Sequence, residues 1–404
     1  MIVLGIESTA HTFGIGIVEN GKILSNMKKT YTTKKGGIIP IEAAKHHKKN
    51  KEEIYLKALE EAKVKESEIN VIAFSQGPGL APCLIEGMKF AKELSLKLKK
   101  PIVPVNHCIA HLEIGRTTGA HHGRTPKDFK KKSLQGAKNP VMLYASGANT
   151  QIIAYASGKY RIFGETLDIG VGNFIDNFAR YLGIGFPGGP KIEKLAKEGR
   201  NYIELPYKVK GMDIVLSGIL TNLRQKIESG NLDIQSMRLP SEAKKEVTHP
   251  HQKGEINKRN LRQSNNCAIL SRCLEIALPR RKGGVDKGNL GSLYDLVYSM
   301  QETVFAMLVE VSERALAHTE KNELLLGGGV ACNKRLQEMC KIMCKERNAK
   351  FFCPENSLLV DNGAMIAFLG EIMFNSEIKF SFEDLDKIDI KPRQRTDDVN
   401  VTWK

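Results

Sequence analysis

The chain has 404 residues, of which 41% are hydrophobic, so it is long enough for two or three packed units with a real core. Its 61 lysines and arginines against 45 aspartates and glutamates give a formal net charge of +16, which favours a polyanionic partner such as nucleic acid. A generally lysine-rich proteome would explain the same charge. The eight cysteines form no Cys-x-x-Cys pair, which argues against a zinc ribbon or a thioredoxin-type site. The apolar runs are short, so we expect a protein of the cytosol or nucleus with no membrane contact.

The first part of the chain is predicted to form three strands, joined by a turn at Asn20-Gly21 and followed by alternating helices and strands. Apolar periodicity and glycine turns define these elements. The expected strands are 2–6, 13–18, 23–28, 70–75 and 102–105, and the expected helices run over 40–64 and from about 80 to 98.

A pair of histidines follows the strand at 102–105, in the stretch NHCIAHLE. His107 and His111 are four residues apart, so both imidazoles would lie on one helix face and could reach one ion. Metalloproteases use this spacing with a glutamate beside the first histidine, but Cys108 occupies that position here. Two ligands are too few for a metal site, so further ligands must come from elsewhere in the fold. Two structural histidines are the alternative.

The same order of elements begins again after residue 140. Strands are predicted at 141–146, 151–156 and 160–165, and a later strand at 323–326 runs into a glycine triplet and a helix. This repetition predicts two similar α/β lobes that face each other across a cleft. The expected segments are an N-terminal lobe over 1–116, a C-terminal lobe over 139–228 and 291–370, and a tail over 371–404 that packs back on the lobes.

Two basic stretches interrupt this pattern. Residues 117–138 contain six Lys/Arg and one Asp, and residues 229–290 contain twelve Lys/Arg and six Asp/Glu. Neither shows the periodicity of a core element, so both are predicted to be surface insertions. Together they account for most of the net charge, which weakens that charge as evidence about the folded lobes.

Several turns of small residues come at the ends of strands, where backbone N–H groups can approach an anion. One such turn follows Tyr144, and another at Gly327-Gly328-Gly329 precedes Asn333, which is expected one helical turn into its helix. Asp176 is expected in the first turn of another helix, and Asp361 at the N-cap of the last apolar helix. Structural necessity explains any single glycine turn, but several in one duplicated α/β chain favour a nucleotide cleft.

Six motifs in order along the chain resemble those of one enzyme family: NHCIAHLEIG, YASGANTQ, FGETLDIGVGN, PYKVKGMDIVLSGIL, GGGVACNKRLQEM and DNGAMIA. The family is the tRNA N6-adenosine threonylcarbamoyltransferases in their archaeal and eukaryotic form, the catalytic subunit of the KEOPS complex, once called O-sialoglycoprotein endopeptidase. The resemblance implies a fold of the actin/hexokinase/Hsp70 (ASKHA) class. It also implies transfer of threonylcarbamoyl from threonylcarbamoyl-AMP to the adenosine that follows the anticodon, in tRNAs reading codons that begin with A.

The same resemblance implies a set of site residues. One iron or zinc ion would be held by His107, His111, Tyr144 and Asp361. The residues expected to contact substrate are Tyr144, Ala145, Ser146, Gly147, Ala148, Asp176, Gly189, Glu193 and Asn333. No residue is assigned as a general base. The implied partners are tRNA and the other KEOPS subunits, including a small atypical (RIO-like) protein kinase and a small dimerising subunit.

The chain departs from the family pattern in three places. Ala148 replaces a glycine, Phe174 replaces a smaller residue, and the segment 79–83 reads Gly-Leu-Ala-Pro-Cys. Ala148 would be strained if its position required a positive φ. These departures motivate a second hypothesis, a nucleotide-binding scaffold that has lost turnover. A metalloprotease is a third hypothesis, disfavoured by Cys108.

Overall fold

The computed structural model describes residues 1–34, 36–117, 136–229 and 293–404, and within them two five-stranded sheets. The predicted insertions at 117–138 and 229–290 lie outside the described residues, apart from a few residues at their ends.

The first sheet has the strand order β3-β2-β1-β4-β5. Its first three strands form an antiparallel meander, and β4 and β5 continue the sheet in parallel with β1. Nearly every residue of β1, β2 and β4 is buried, as expected for strands covered by helices on both faces. The strands are β1 (Ile2–Glu7), β2 (Thr12–Glu19), β3 (Lys22–Thr30), β4 (Val71–Gly77) and β5 (Ile102–Asn106).

Three helices belong to this half of the chain: α1 (Pro40–Ala62), α2 (Ala81–Leu98) and α3 (His107–Thr117). A proline stands in the first turn of α1 and of α2, where its missing N–H has no helical partner to lose. The two helices pack against each other and on the first sheet. α3 starts directly at the end of β5, which fixes where the histidine pair begins.

The second sheet repeats the first, with the order β12-β11-β6-β7-β8. Again three strands form an antiparallel meander, and two more strands run parallel to the first of them. The strands are β6 (Val141–Ala145), β7 (Thr150–Ala156), β8 (Lys159–Glu165), β11 (Glu323–Gly327) and β12 (Lys350–Phe352), and β9 (Val209–Lys210) with β10 (Asp213–Ile214) forms a separate ribbon. The predicted duplication of lobes is therefore present.

The helices of this second half are α4 (Val171–Tyr181), α5 (Gly189–Ala196), α6 (Ser217–Glu228), α7 (Leu293–His318) and α8 (Lys334–Glu346). They form one continuous hydrophobic core with the second sheet. The longest, α7, is buried along most of its length and includes buried Asp295, Glu302 and Glu310. Within the described ranges, no helix is both long enough and apolar enough to span a bilayer.

The last two helices are α9 (Asn356–Leu359) and α10 (Gly363–Asn375), and α10 packs on the first sheet. This differs from the expected assignment of residues 291–370 to the second lobe. Facing glycines allow the close contact, because a Cβ on Gly16 would lie 2.1 Å from the backbone N of Ala364, and one on Gly5 would lie 2.2 Å from that of Ala367. The chain therefore crosses back to the first lobe just after Asp361.

The C-terminal segment after α10 contacts both lobes, and Thr396 within it donates to Oε1 of Gln151 on β7 at 3.3 Å. The N–H of Lys391 donates to the Gln76 carbonyl at 2.8 Å, beside the end of β4. Near the terminus, Nε1 of Trp403 donates to Oε1 of Glu113 on α3 at 3.2 Å. The tail thus contacts the helix that bears the histidine pair.

Candidate functional site

A cleft of about 910 Å³ lies between the two sheets, lined by residues of both lobes. On the first-lobe side, its wall is formed by the turn after β1 and by strand β3. On the second-lobe side, it is formed by the turn after β6 and the first turns of α4 and α5. Ends of parallel strands and helix N-termini meet here, which is where α/β folds bind ligands.

His107 lines this cleft at the start of α3, and His111 lies one turn further along the same helix. Their ring centroids are 4.8 Å apart, and both side chains are almost completely buried. Oδ1 of Asp361 lies 3.4 Å from Nε2 of each histidine. The three side chains place a possible ligand atom each within 4.8 Å of one another, so the fold supplies a third ligand from the far end of the chain.

Asp361 is free for this role because another residue caps α10. The sequence predicted Asp361 as the N-cap, but the N-cap is Asn362, whose Oδ1 accepts from the N–H of Met365 at 3.0 Å. Asp361 precedes the cap, and its carboxylate points to the histidines instead. Burial raises the pKa of Asp361, but its contacts with the imidazoles of His107 and His111 outweigh burial and hold that pKa well below its usual range.

Glu7, at the end of β1, is a site residue that sequence reasoning missed. Its Oε2 accepts from Nδ1 of His107 at 2.9 Å, and its Oε1 accepts from the N–H of Thr9 at 2.7 Å. Because Glu7 accepts the Nδ1 proton, Nε2 is the nitrogen of His107 that faces Asp361, and it would bind a metal ion after losing its own proton. Burial lowers the pKa of His107, but the charges of Glu7 and Asp361 outweigh burial and raise it well above its usual value.

The donor atoms fit a metal ion. His111 is buried, and neither of its ring nitrogens has a hydrogen-bond partner, since the 3.4 Å contact with Asp361 lacks hydrogen-bond alignment. A buried imidazole without a partner is unfavourable, and a bound cation would remove that cost. Tyr144 is the penultimate residue of β6, with its ring centroid 5.3 Å from that of His111, and burial raises its pKa well above the usual value. Two imidazoles with carboxylate and phenol oxygens suit iron or zinc.

The turn after β6 provides the backbone wall of the cleft. The N–H of Gly172 donates to the Ser146 carbonyl at 3.0 Å, and that of Asn173 donates to the Gly147 carbonyl at 2.9 Å, so the turn is joined to the start of α4. Ala148 is exposed and is not among the residues with a positive φ. The condition for backbone strain at Ala148, a positive φ, is therefore not met.

Two carboxylates face the cleft from α4 and α5. Asp176 was expected in the first turn of its helix but lies in the second, because α4 begins at Val171. Its Oδ1 accepts from the N–H of Gly188 at 2.7 Å, and burial raises its pKa. A Cβ on the next residue, Gly189, would meet open space. Glu193 lines the same wall and accepts from the N–H of Lys334 at 3.1 Å.

Asn333 also differs from its predicted place. It is the N-cap of α8 rather than a residue one turn into it, and its Oδ1 accepts from the N–H of Arg335 at 2.9 Å. Its Nδ2 donates to Oε1 of Gln301 at 2.9 Å, and Arg335 pairs with buried Glu302 at 2.8 Å. Both polar atoms of the Asn333 side chain already have protein partners, so a contact with sugar or base stays a prediction.

A family model described as tRNA N6-adenosine threonylcarbamoyltransferase matches residues 22–368. The chain is 46% identical over 403 residues to the tRNA N6-adenosine threonylcarbamoyltransferase of Thermococcus sibiricus, and the match covers all of both chains. It is 41% identical over 404 residues to a Drosophila melanogaster protein named a probable tRNA N6-adenosine threonylcarbamoyltransferase, with 99% of this chain and 98% of that one covered.

Among solved structures, HypF of T. kodakarensis is similar with a TM-score of 0.50 and 13% identity, over 95% of this chain and 48% of that one. At this identity the likeness concerns the fold alone. Together with the two sheets of matching topology, it confirms the predicted two-lobed α/β fold of the actin/hexokinase/Hsp70 class.

Proposed function

The chain belongs to the tRNA N6-adenosine threonylcarbamoyltransferase family, and from this membership we propose that it transfers threonylcarbamoyl to tRNA. The donor would be threonylcarbamoyl-AMP, and the acceptor N6 of the adenosine 3′ of the anticodon in tRNAs that read codons beginning with A. The structural observation in support is that one cleft is lined both by the backbone turn after β6 and by His107 and Asp361, which form a buried cluster with His111.

At the inner end of the cleft, His107, His111, Tyr144 and Asp361 would hold one iron or zinc ion. When bound, the ion would supply Lewis-acid chemistry, polarising a carbonyl or phosphate oxygen of the donor. Glu7 orients the His107 ring through Nδ1, 2.9 Å from its own carboxylate. Such outer partners fix the direction of a ligand's lone pair.

Toward the mouth of the cleft, the protein offers groups suited to the adenylate. The backbone of Tyr144–Ala148 and Gly189 would approach the ligand closely. The carboxylates of Asp176 and Glu193 are hydrogen-bond acceptors of the kind that ribose hydroxyls need. Asn333 would contribute after exchanging one of its present partners. No side chain is proposed as a general base.

The partners that we propose are tRNA and the other KEOPS subunits, among them a small atypical (RIO-like) protein kinase and a small dimerising subunit. The support is the match of the chain to this family and the motifs PYKVKGMD and RQRTDDVNVTW, which resemble the KEOPS form. The proposed compartment is the cytoplasm, with the nucleus as a second location.

Nucleoside analysis tests this proposal. The full chain would be incubated with the partner subunits, threonylcarbamoyl-AMP and a tRNA reading a codon that begins with A, and the digested tRNA analysed by mass spectrometry. We expect threonylcarbamoyladenosine, and none when guanosine replaces the adenosine after the anticodon. A protein that binds AMP but modifies no tRNA would overturn the proposal and support the scaffold hypothesis.

A further inference from the structure

Lys28 lies on β3, and its side chain points toward the second lobe. Successive side chains of a strand point to opposite faces. Lys29 pairs with Glu53 of α1 at 3.0 Å, so the odd-numbered face at this end of the strand is the α1 side. On the other face, Oδ1 of Asn26 accepts from the N–H of Ala364 at 3.4 Å, and both Lys28 and Thr30 line the cleft.

The ammonium of Lys28 lies near the metal-ligand end of this cleft. Its Nζ donates to the Ser357 carbonyl at 3.3 Å, on the short helix α9 that leads into Asp361. The side chain is half-buried, and burial lowers its pKa although the Asp361 carboxylate partly offsets this effect. An ammonium has three N–H donors, so one carbonyl leaves donor directions open to a ligand.

The carboxylates on the cleft wall make a cation favourable for an anionic ligand. Asp176 and Glu193 would repel an anion, whereas Asp361 would be neutralised by the metal ion that it is proposed to hold. Arg180 also lines it, but its exposed guanidinium donates to Oδ1 of Asn177 at 2.7 Å on α4. Lys28 is therefore the lysine placed to neutralise a negative charge beside Asp361.

We propose that Lys28 binds an anionic oxygen of the substrate and so positions it beside the metal ligands. This inference rests on the proposed function, because threonylcarbamoyl-AMP has two anionic groups, a carboxylate and a phosphate. Both present the same chemistry to an ammonium, a charged oxygen that accepts a charge-assisted hydrogen bond. Lys28 is thus a substrate-positioning residue on the first-lobe wall.

Two pairs of probes identify the anion by calorimetry. The affinity for AMP relative to adenosine reports a phosphate contact. The affinity for N-carbamoyl-L-threonine relative to its carboxamide reports a carboxylate contact. We expect Lys28→Gln to lower the preference for one anionic probe by roughly tenfold, the size of one lost charged hydrogen bond. Lys28→Arg should keep most of that preference. Lys29→Gln is the matched control, since its side chain lies on the opposite face of the same strand.

Three results would overturn the inference: neither preference changes in Lys28→Gln by more than about twofold, Lys29→Gln loses as much as Lys28→Gln, or the wild-type protein prefers neither anionic probe. Circular dichroism spectra of all variants establish that they fold. These outcomes are separate from the proposed function, because binding preferences are measured without tRNA. A wild-type protein that modifies tRNA while Lys28→Gln binds normally would refute the role of Lys28 alone.

Discussion

The imidazoles of His107 and His111 have different surroundings although they share one helix face. His107 has Glu7 on its Nδ1, whereas neither nitrogen of His111 has a hydrogen-bond partner. The i, i+4 spacing was readable from the sequence, because both residues belong to one helix. Glu7 could not be found that way, since it lies 100 residues earlier on a strand and meets His107 only in the folded chain.

Replacing both histidines should abolish metal binding. The variant His107→Ala/His111→Ala removes both imidazoles from the proposed ligand set, so we expect near-complete loss of bound iron or zinc. Elemental analysis of the purified, folded protein measures this. His318→Ala, which removes an exposed histidine at the end of α7, should retain the metal. Stoichiometric metal in the double variant would eliminate the site.

Ala148→Gly should have little effect. The backbone at Ala148 does not have a positive φ, so alanine costs no strain there and glycine relieves none. We expect AMP affinity within about twofold of the wild-type value. Calorimetry measures the affinity and thermal unfolding the stability. A tenfold tighter complex would instead show that the alanine methyl obstructs the ligand, and would revive the scaffold hypothesis.

At the scale of elements, the strands and helices near the cleft were predictable from local sequence patterns. The elements that they pack against were not. The two meanders were predictable because apolar runs and turns such as Asn20-Gly21 mark them. The attachment of α10 to the first sheet depends on Gly5 and Gly16 meeting a helix more than 340 residues later. No local signal specifies such a contact. The caps differ from prediction: Asn333 caps α8 instead of lying one turn into it, and Asn362 rather than Asp361 caps α10.

The start of α8 depends on a buried ion pair. Arg335 forms a two-nitrogen contact with Glu302, whose side chain is 1% exposed, next to the Asn333 cap. Arg335→Met leaves Glu302 buried without its partner, so we expect a loss of about 3 kcal/mol in the free energy of unfolding. Chemical denaturation measures this quantity.

A matched control exists on α6. Arg224 pairs with Glu228 at 2.7 Å, but both side chains are exposed, so Arg224→Met should leave stability unchanged. If Arg335→Met were equally harmless, Glu302 would have another compensating partner and would not depend on this pair.

At the scale of the whole molecule, two lobes enclose one site, and α3 and α10 lie in the shared core between them. The duplication was predictable from the repeated order of elements. The residues of the cleft were predictable only in part. His107 and Asp361 come from distant chain segments, and only the folding of the two lobes brings them together. The family resemblance identified those residues, and the structure shows the contacts among them.

Residues 229–290 are predicted to contribute little to the stability of the whole chain. Their sequence has no core periodicity, so replacing them with a short glycine linker between α6 and α7 should leave a folded protein with nearly the same melting temperature. Differential scanning calorimetry measures that temperature. A decrease of many degrees would mean that this segment packs on the lobes.

Metal-dependent transfer tests the central claim most directly. Protein stripped with a chelator and then reloaded with zinc or iron would be assayed, with the partner subunits, for labelled threonylcarbamoyl in tRNA. We expect a loss on the order of a hundredfold on stripping, recovery on reloading for the wild-type protein, and no recovery for Asp361→Asn. Transfer at the full rate by the stripped protein, or by Asp361→Asn, would contradict the claim.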